Sequence, residues 1–507
     1  MKKRTIAHNP VVRTILFVIV AALFQALFFS AADFVSIPVY TCKDVFILTA
    51  QWGVVFGALC CLVAILACNR YLFAVLFPLL TLAASLLAYF RYSANAAFTP
   101  MILDAALEND WRTSAELCTP ALVVFVVVAQ LLSAALVWYR WHRVVWSRAW
   151  TLLFLGGALL WGIFRIDRLR EPVANRIPFN LYFSTRDYCR SRAIVRSERP
   201  DHTAGAYTTA DSLTVVFVLG ESLRSDHLAL NGYERNTTPC LARESVYTLP
   251  HIYSEQTYTF RAVPHLLTRA DSTDYERAYE ERSFISYFNA CGFRTSWLAN
   301  QEDAASYVYF MNECDTLVYA HIDKNSYVFD QWLDGDLLPD FDRLLNDDAP
   351  KQLIILHTIG SHWWYNSHFP DEFARFQPVV KSKILTTNTR EEMINSYDNT
   401  VLYTDYFLSQ LIGRLRDRKA ILVYQSDHGE NLGEDGLWLH ASGSPFTHDA
   451  AGLIWMSPQY IEAYPHYLDR LSENRSKHWR NDYLFHTLLD AAGISTPYLE
   501  PSLSLFR

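Results

Sequence analysis

Hydrophobic residues are distributed in two ways along this chain. Before about residue 167 they form long unbroken runs, at roughly 12–33, 45–67, 71–90, 119–139 and 149–165. The first four reach the ~20 residues that a helix needs to cross a bilayer, and the fifth is shorter but flanked by aromatic residues. A single cleaved signal peptide does not explain five such runs. From about residue 212 the apolar runs become short and β-rich and alternate with helical segments, which predicts an α/β domain with a central, mostly parallel sheet. The pattern divides the chain into a five-helix transmembrane domain (1–167), a linker along the membrane face (168–211) and an α/β domain (212–507).

Charge orients the membrane half. Lys2, Lys3, Arg4 and Arg13 precede or open the first run, Arg70 lies between the second and third, and Arg140, Arg143 and Arg148 lie between the fourth and fifth. Positive loops favour the cytoplasm, so five crossings place everything after about residue 167 outside it. The loop at about 92–118 would also lie outside. Its sequence suits an amphipathic helix at the membrane face and, equally, a plain connector. The net charge of −8, with no Lys/Arg-rich run beyond the N-terminal MKKR, argues against a nucleic-acid partner. Of nine cysteines, Cys60, Cys61 and Cys68 fall in or beside a membrane run and read as packing residues. Cys42, Cys118, Cys189, Cys240, Cys291 and Cys314 would lie outside, where disulfides persist, and Cys291 with Cys314 is the first pairing to expect.

Four runs in the second half end in polar groups: LTVVFVLGES (213–222), FRTSWLANQ (293–301), QLIILHTIGSHWWY (352–365) and AILVYQSDHGE (420–430). In open α/β sheets ligands collect beyond the carboxyl ends of the strands, so Glu221, His362, Asp427 and His428 are expected to converge. Any one of them alone reads equally well as a cap or turn residue. Together, carboxylates and imidazoles suit Zn²⁺. A metal with three protein ligands leaves room for a nucleophile whose pKa it lowers. The segment SEQTYTFRAVPHLLTR (254–269) offers Thr257 and Thr259 just before a helix, whose free N–H groups would cradle a phosphate. The residues alone leave both threonines open, and a plain Thr N-cap as well.

GESLRSDHLALNGYERNTTPCL (220–241), HTIGSHWWYNSHFP (357–370) and SDHGENLGEDGLWLH (426–440) resemble the motifs of membrane-anchored bacterial phosphoethanolamine transferases of the alkaline phosphatase/sulfatase superfamily. That family includes enzymes that modify lipid A and confer polymyxin resistance. The resemblance spans nearly the whole chain. It implies Glu221, Asp427 and His428 as ligands of one zinc or two, with Thr259 as nucleophile and fourth ligand, because Pro264 follows it at the family's spacing. It also implies that His362 and His440 bind the transferred phosphate or a second zinc, one of them protonating the leaving oxygen. His486 lies in a family-like C-terminal helix without an assignable role.

The implied reaction moves phosphoethanolamine from phosphatidylethanolamine to lipid A or another lipopolysaccharide component through a phospho-threonine. The protein would be a monomer in the bacterial inner membrane with its catalytic domain in the periplasm. A cysteine pair that many members carry around the nucleophile is replaced here by Glu255 and His265, and a lysine that some members have is missing from NQEDAASYVY (300–309). Both departures bear on the acceptor. A phosphoglycerol transferase of the same superfamily is the alternative enzyme, and a degenerate membrane scaffold or transporter the alternative of another class. A sulfate-ester hydrolase is disfavoured by the lack of a Cys-x-Pro-x-Arg or Ser-x-Pro-x-Arg motif.

Overall fold

The computed structural model describes residues 9–35, 37, 39, 41–94, 98–100, 102–103, 107, 119–144, 150–322, 331–382, 385–440 and 444–507. Lys2, Lys3, Arg4, Cys118, Arg148 and most of the expected amphipathic segment 92–118 lie outside the described residues. The chain forms two compact units, Met1–Cys189 with Ile322–Phe329, and Arg190–His321 with Asp330–Arg507.

The first unit is helical: α1 (Pro10–Phe29), α2 (Cys42–Ala67), α3 (Arg70–Ala94), α4 (Pro120–Arg143) and α5 (Trp150–Arg165). Local chemistry sets several starts. Asn9 caps α1 with Pro10 at its first position, and Thr41 and Asp44 form a reciprocal capping box on α2. Among the described residues four helices, α1 to α4, are long and apolar enough to cross a membrane. The fifth expected crossing is the 16-residue α5. At 1.5 Å per residue it is about 24 Å long, short of a ~30 Å hydrocarbon core. It packs closely on α2: a side chain at Gly156 would meet the Cys61 carbonyl at 3.0 Å.

The second unit is built on an eight-stranded sheet. Its strands are β1 (Leu213–Gly220), β2 (Val246–Tyr253), β3 (Arg294–Ala299), β4 (Thr316–Tyr319), β5 (Lys351–His357), β6 (Ala420–Ser426), β7 (Asp449–Met456) and β8 (Trp479–Arg480), in the spatial order β8-β2-β7-β6-β1-β5-β3-β4. The sheet is mixed. β1, β3, β4, β5 and β6 run parallel, whereas β7 is antiparallel to both β2 and β6. Every residue of β1 and β6 is buried. Strands covered on both faces read as continuous apolar runs, which is why these two were visible in the sequence. Phe217, Ile355 and Val423 face one core, and Val216, Ile354 and Leu422 the other.

Register brings the strand ends level. Gly220 pairs with Ser426, and His357 with both Leu219 and Ala299, so the residues after β1, β6, β5 and β3 emerge along one edge. Because β7 returns beside β6, the whole β6–β7 connection stays at that edge too. A short helix, α6 (Thr259–Leu267), follows β2. The expected Cys291–Cys314 disulfide is absent, and both thiols are free. Cys291 ends a helix beneath Lys351, whose ammonium donates to its carbonyl at 2.6 Å, while Cys314 faces Thr295.

Candidate active site

Glu221, Asp427 and His428 leave the ends of β1 and β6 and are completely buried. Their ligand atoms lie within 4.8 Å of one another. The turn that aims Glu221 passes through Ser222, held at φ 57°, a left-handed conformation that costs a non-glycine residue free energy. Tyr397 holds this turn by donating its hydroxyl to the Ser222 carbonyl at 2.7 Å. The Ser222 hydroxyl donates to Glu221 Oε1 at 2.6 Å and its N–H to Asp427 Oδ1 at 3.1 Å. Asp427 Oδ1 also accepts the His428 N–H at 2.8 Å. Asp427 Oδ2, by contrast, is buried and accepts no hydrogen bond among the described residues.

His428 shows what the vacant acceptor faces. Its Nδ1 lies 2.8 Å from the Gly429 carbonyl, which requires the proton on Nδ1. The lone pair is then on Nε2, 3.4 Å from Asp427 Oδ2 and 3.5 Å from Glu221 Oε1. Two carboxylates and a neutral imidazole turned toward one point, with one oxygen unsatisfied, form a donor set that fits a divalent cation. The electrostatics agree. Burial and the charge of Glu221 push Asp427 well above the usual carboxylate range. Burial also pushes Glu221 upward, but the surrounding imidazoles, of which His440 carries the charge, and the Ser222 hydroxyl hold Glu221 low. Burial lowers His428 and keeps it neutral.

Of the two candidate threonines, Thr259 reaches this centre. Its hydroxyl donates to Glu221 Oε2 at 2.7 Å and lies 3.4 Å from His428 Nε2. Thr259 is the first residue of α6, and the N-cap is Tyr258, which makes no side-chain cap, so the Thr259 hydroxyl is not spent on capping. Thr257 is buried in the preceding segment. That segment is pinned by Ser254, whose hydroxyl donates to the Asp427 carbonyl at 2.6 Å and accepts from Asn481 at 3.0 Å.

His362 and His440 lie next to this centre. The His440 ring is 4.7 Å from that of His428 and 6.5 Å from that of His362. Burial lowers His362. Burial pulls on His440 as well, but the hydrogen bond and charge of Glu430 outweigh it and raise His440 to about 9. Its Nδ1 lies 3.2 Å from Glu430 Oε2. His428, Glu430 and His440 form a second group able to hold a metal. Gly429 is required between the two groups, since a Cβ there would run into the carbonyl oxygens of Phe446 and Asp449.

Two contributors had not been singled out in the sequence. Glu430 lies inside a quoted motif, three residues after Asp427, where an acid in a glycine turn beyond a buried strand was a usable signal. Gln301, just past β3, donates to Glu221 Oε2 at 3.1 Å and to the Thr358 carbonyl at 2.7 Å. Its run, FRTSWLANQ (293–301), is one of the four that end in polar groups, although Gln301 is not among the residues expected to converge. His486 is remote in role: it is buried, its Nδ1 accepts the Glu500 N–H at 3.1 Å, and burial lowers it to about 4. Glu255 is ion-paired with Arg480.

The family model described as Sulfatase matches residues 213–494, more than half of the chain and all of the site just described. The chain belongs to the sulfatase family. A second model, described as phosphoethanolamine transferase EptA/EptB, matches residues 56–166 of the helical unit. Phosphoethanolamine transferase EptA of Escherichia coli is 30% identical over 302 residues, 56% of this chain and 54% of that protein. The chain thus spans about half the length of such curated relatives. The soluble domain of lipooligosaccharide phosphoethanolamine transferase A from Neisseria meningitidis superposes with a TM-score of 0.56 at 27% identity, over 61% of this chain and 97% of that domain. The integral membrane form shares the fold at 23% identity and a TM-score of 0.55, over 97% of this chain and 98% of that one.

Proposed function

We propose that this protein is a zinc-dependent phosphoethanolamine transferase. It would move the headgroup of phosphatidylethanolamine to lipid A or another lipopolysaccharide component through a covalent intermediate on Thr259. The observation that carries the reading is the Thr259 hydroxyl on Glu221 beside Asp427, whose second oxygen is buried without a donor. The named relatives, phosphoethanolamine transferases of lipid A and lipooligosaccharide, supply the substrate class.

Glu221, Asp427 and His428 would hold the zinc, with Thr259 beside them. Bound there, zinc supplies Lewis-acid chemistry, favouring the alkoxide form of a hydroxyl and offsetting phosphoryl charge. Thr259 Oγ attacks the donor phosphorus, its proton leaving along the hydrogen bond to Glu221, and the bond to diacylglycerol breaks. His440, oriented by Glu430, gives the diacylglycerol oxygen its proton. His362 donates an N–H to the phosphoryl oxygens, and so do the free amides at the start of α6. An acceptor oxygen then attacks the phospho-threonine, His440 takes its proton, the bond from phosphorus to the Thr259 oxygen breaks, and that oxygen recovers its proton along the hydrogen bond from Glu221.

Both donor and product are lipids, which suits a membrane-anchored enzyme. In this reading α5 is the fifth crossing of the bacterial inner membrane, residues 168–507 lie in the periplasm, and one chain suffices because every site residue comes from it. The test is mass spectrometry of lipid A and core oligosaccharide from cells with and without the protein. A gain of one phosphoethanolamine unit is expected. A gain of glycerol phosphate, or no change in either, would sink the assignment.

A further inference from the structure

Thr259 stands at an end of α6 that the helix itself does not secure. From Ala262 to Leu267 every residue of α6 is buried, whereas Phe260 and Arg261 are exposed and Tyr258 offers no side-chain cap. An uncapped first turn frays, so the place of the Thr259 hydroxyl depends on the segment that leads into it. Ser254 fixes the start of that segment. Its N–H donates to the His448 carbonyl at 2.8 Å, and its carbonyl lies 2.6 Å from His448 Nδ1. Between Ser254 and Thr259 the side chains of Gln256, Thr257 and Tyr258 make no hydrogen bond or ion pair with a described residue.

Glu255 is the exception. Its side chain is 3% exposed and is ion-paired with Arg480, the last residue of β8. β8 runs parallel to β2 with Arg480 in register with Tyr253, so the pair ties the chain just past β2 to the sheet edge. The Arg480 guanidinium also lies 5.2 Å over the Tyr253 ring. The next residue, Asn481, accepts from Gln425 of β6 at 2.9 Å and donates to Ser254, which holds Arg480 against the sheet. Glu255 reaches two further neighbours, whose rings are 5.2 Å apart. The carboxylate raises Tyr275, and it opposes the burial that lowers His265 of α6.

We infer that Glu255 is a positioning residue for the nucleophile. Clamped by Arg480 and set against Tyr275 and His265, it fastens the loop to the sheet edge behind it and to the helix ahead of it. That keeps the Thr259 hydroxyl on Glu221. The proposed zinc ligands Glu221, Asp427 and His428 follow β1 and β6, so the clamp acts on the nucleophile and not on the metal. The inference rests on the transfer reaction proposed above for its kinetic readout. A buried carboxylate that loses its cation is left charged at high cost, which gives the clamp a signature of its own.

The test uses full-length, zinc-loaded protein in a mild detergent with phosphatidylethanolamine. Peptide mass spectrometry reads the single-turnover rate at which the adduct forms on Thr259. Arg480→Ala should slow that step ~10- to 100-fold, the scale of a misplacement of about 1 Å, with donor KM and zinc content little changed. Glu255→Gln removes the buried charge instead of stranding it, so adding it to Arg480→Ala should recover part of the lost rate. Hydrogen exchange should quicken at residues 255–260 in Arg480→Ala and not along β1 or β6. An unaltered rate in Arg480→Ala, or a double variant slower than it, overturns the inference. If Arg480→Ala fails to fold, Glu255→Gln alone must slow adduct formation with zinc bound, and a normal rate there overturns it. No adduct at all in the unaltered protein would remove the transfer reaction instead, and the exchange comparison would still decide the clamp.

Discussion

Asp427 and Asp334 are two buried carboxylates of the same sheet unit, and they differ in what meets them. Asp334 Oδ1 accepts from Asn300 Nδ2 at 2.8 Å and from the Ile359 N–H at 2.8 Å, and Oδ2 accepts from the Gly360 N–H at 3.0 Å. It braces the turn that leads from β5 to His362. Gly360 needs that brace: it sits at φ 48°, and a Cβ there would meet the Glu221 carbonyl at 2.8 Å. Asp427 has donors on one oxygen and none on the other. Burial lifts Asp334 only to about 6 because three donors oppose it, whereas Asp427 rises well above the usual range. A buried acid with a full set of donors is scaffold. One left short, beside a second acid and an imidazole lone pair, is a place for a cation.

The comparison breaks first if Asp427 behaves like a brace. Asp427→Ala should remove both transfer and zinc from the full-length protein, lowering zinc affinity by at least ~100-fold by titration calorimetry, since one of few charged ligands is lost. Chelation should abolish transfer in the unaltered protein and added zinc restore it. Full zinc occupancy in the variant would mean that the ligands are misassigned. Thr259→Ala separates chemistry from metal binding: transfer should fall ~10⁴-fold while zinc stays bound. Thr257→Ala should stay within about tenfold of normal, and a phosphoethanolamine adduct on Thr257 in peptide mass spectra would reverse the two roles.

Glu430→Gln tests the acid that touches no phosphorus. It keeps the shape but weakens the charge that orients His440, so kcat should drop ~10- to 100-fold with donor KM little changed. An unaltered kcat would remove His440 from proton transfer. Asp334→Ala should leave zinc bound and cost ~3 kcal/mol in thermal unfolding, because three buried donors lose their acceptor. Zinc loss without destabilisation would blur the contrast between the two aspartates.

The smallest effect is in the pH dependence of stability. The folded pKa of Asp334, about 6, lies above its ordinary 3.8. Its contribution is therefore full below about pH 4 and is lost as pH rises through about 6, a decline of at most ~3 kcal/mol. Asp334→Asn should flatten that part of the unfolding profile. A slope unchanged by the substitution would place the titration elsewhere.

Much of this site was legible because its cues are local. Glu221, Asp427 and His428 each follow a continuous apolar run, and a run buried on both faces advertises its own end whatever lies beside it. The long apolar runs of the helical unit are equally local, since hydrocarbon demands uninterrupted hydrophobic length. Other features depended on distant partners. Thr257 and Thr259 share a face of an extended segment, so no periodicity separates them. The choice is made where β2, β1 and β6 align and the Thr259 hydroxyl meets Glu221. Gln301 matters because β3 ends level with β1, a fact of register. The antiparallel return of β7, which keeps Glu430 and His440 at the same edge, leaves no mark in its own sequence. The sequence by itself determined which segments are buried and where polar groups leave them, because burial of apolar surface is a property of each segment. The tertiary structure alone decided which of those polar groups meet, because strand order and register are settled by the packing of the whole sheet.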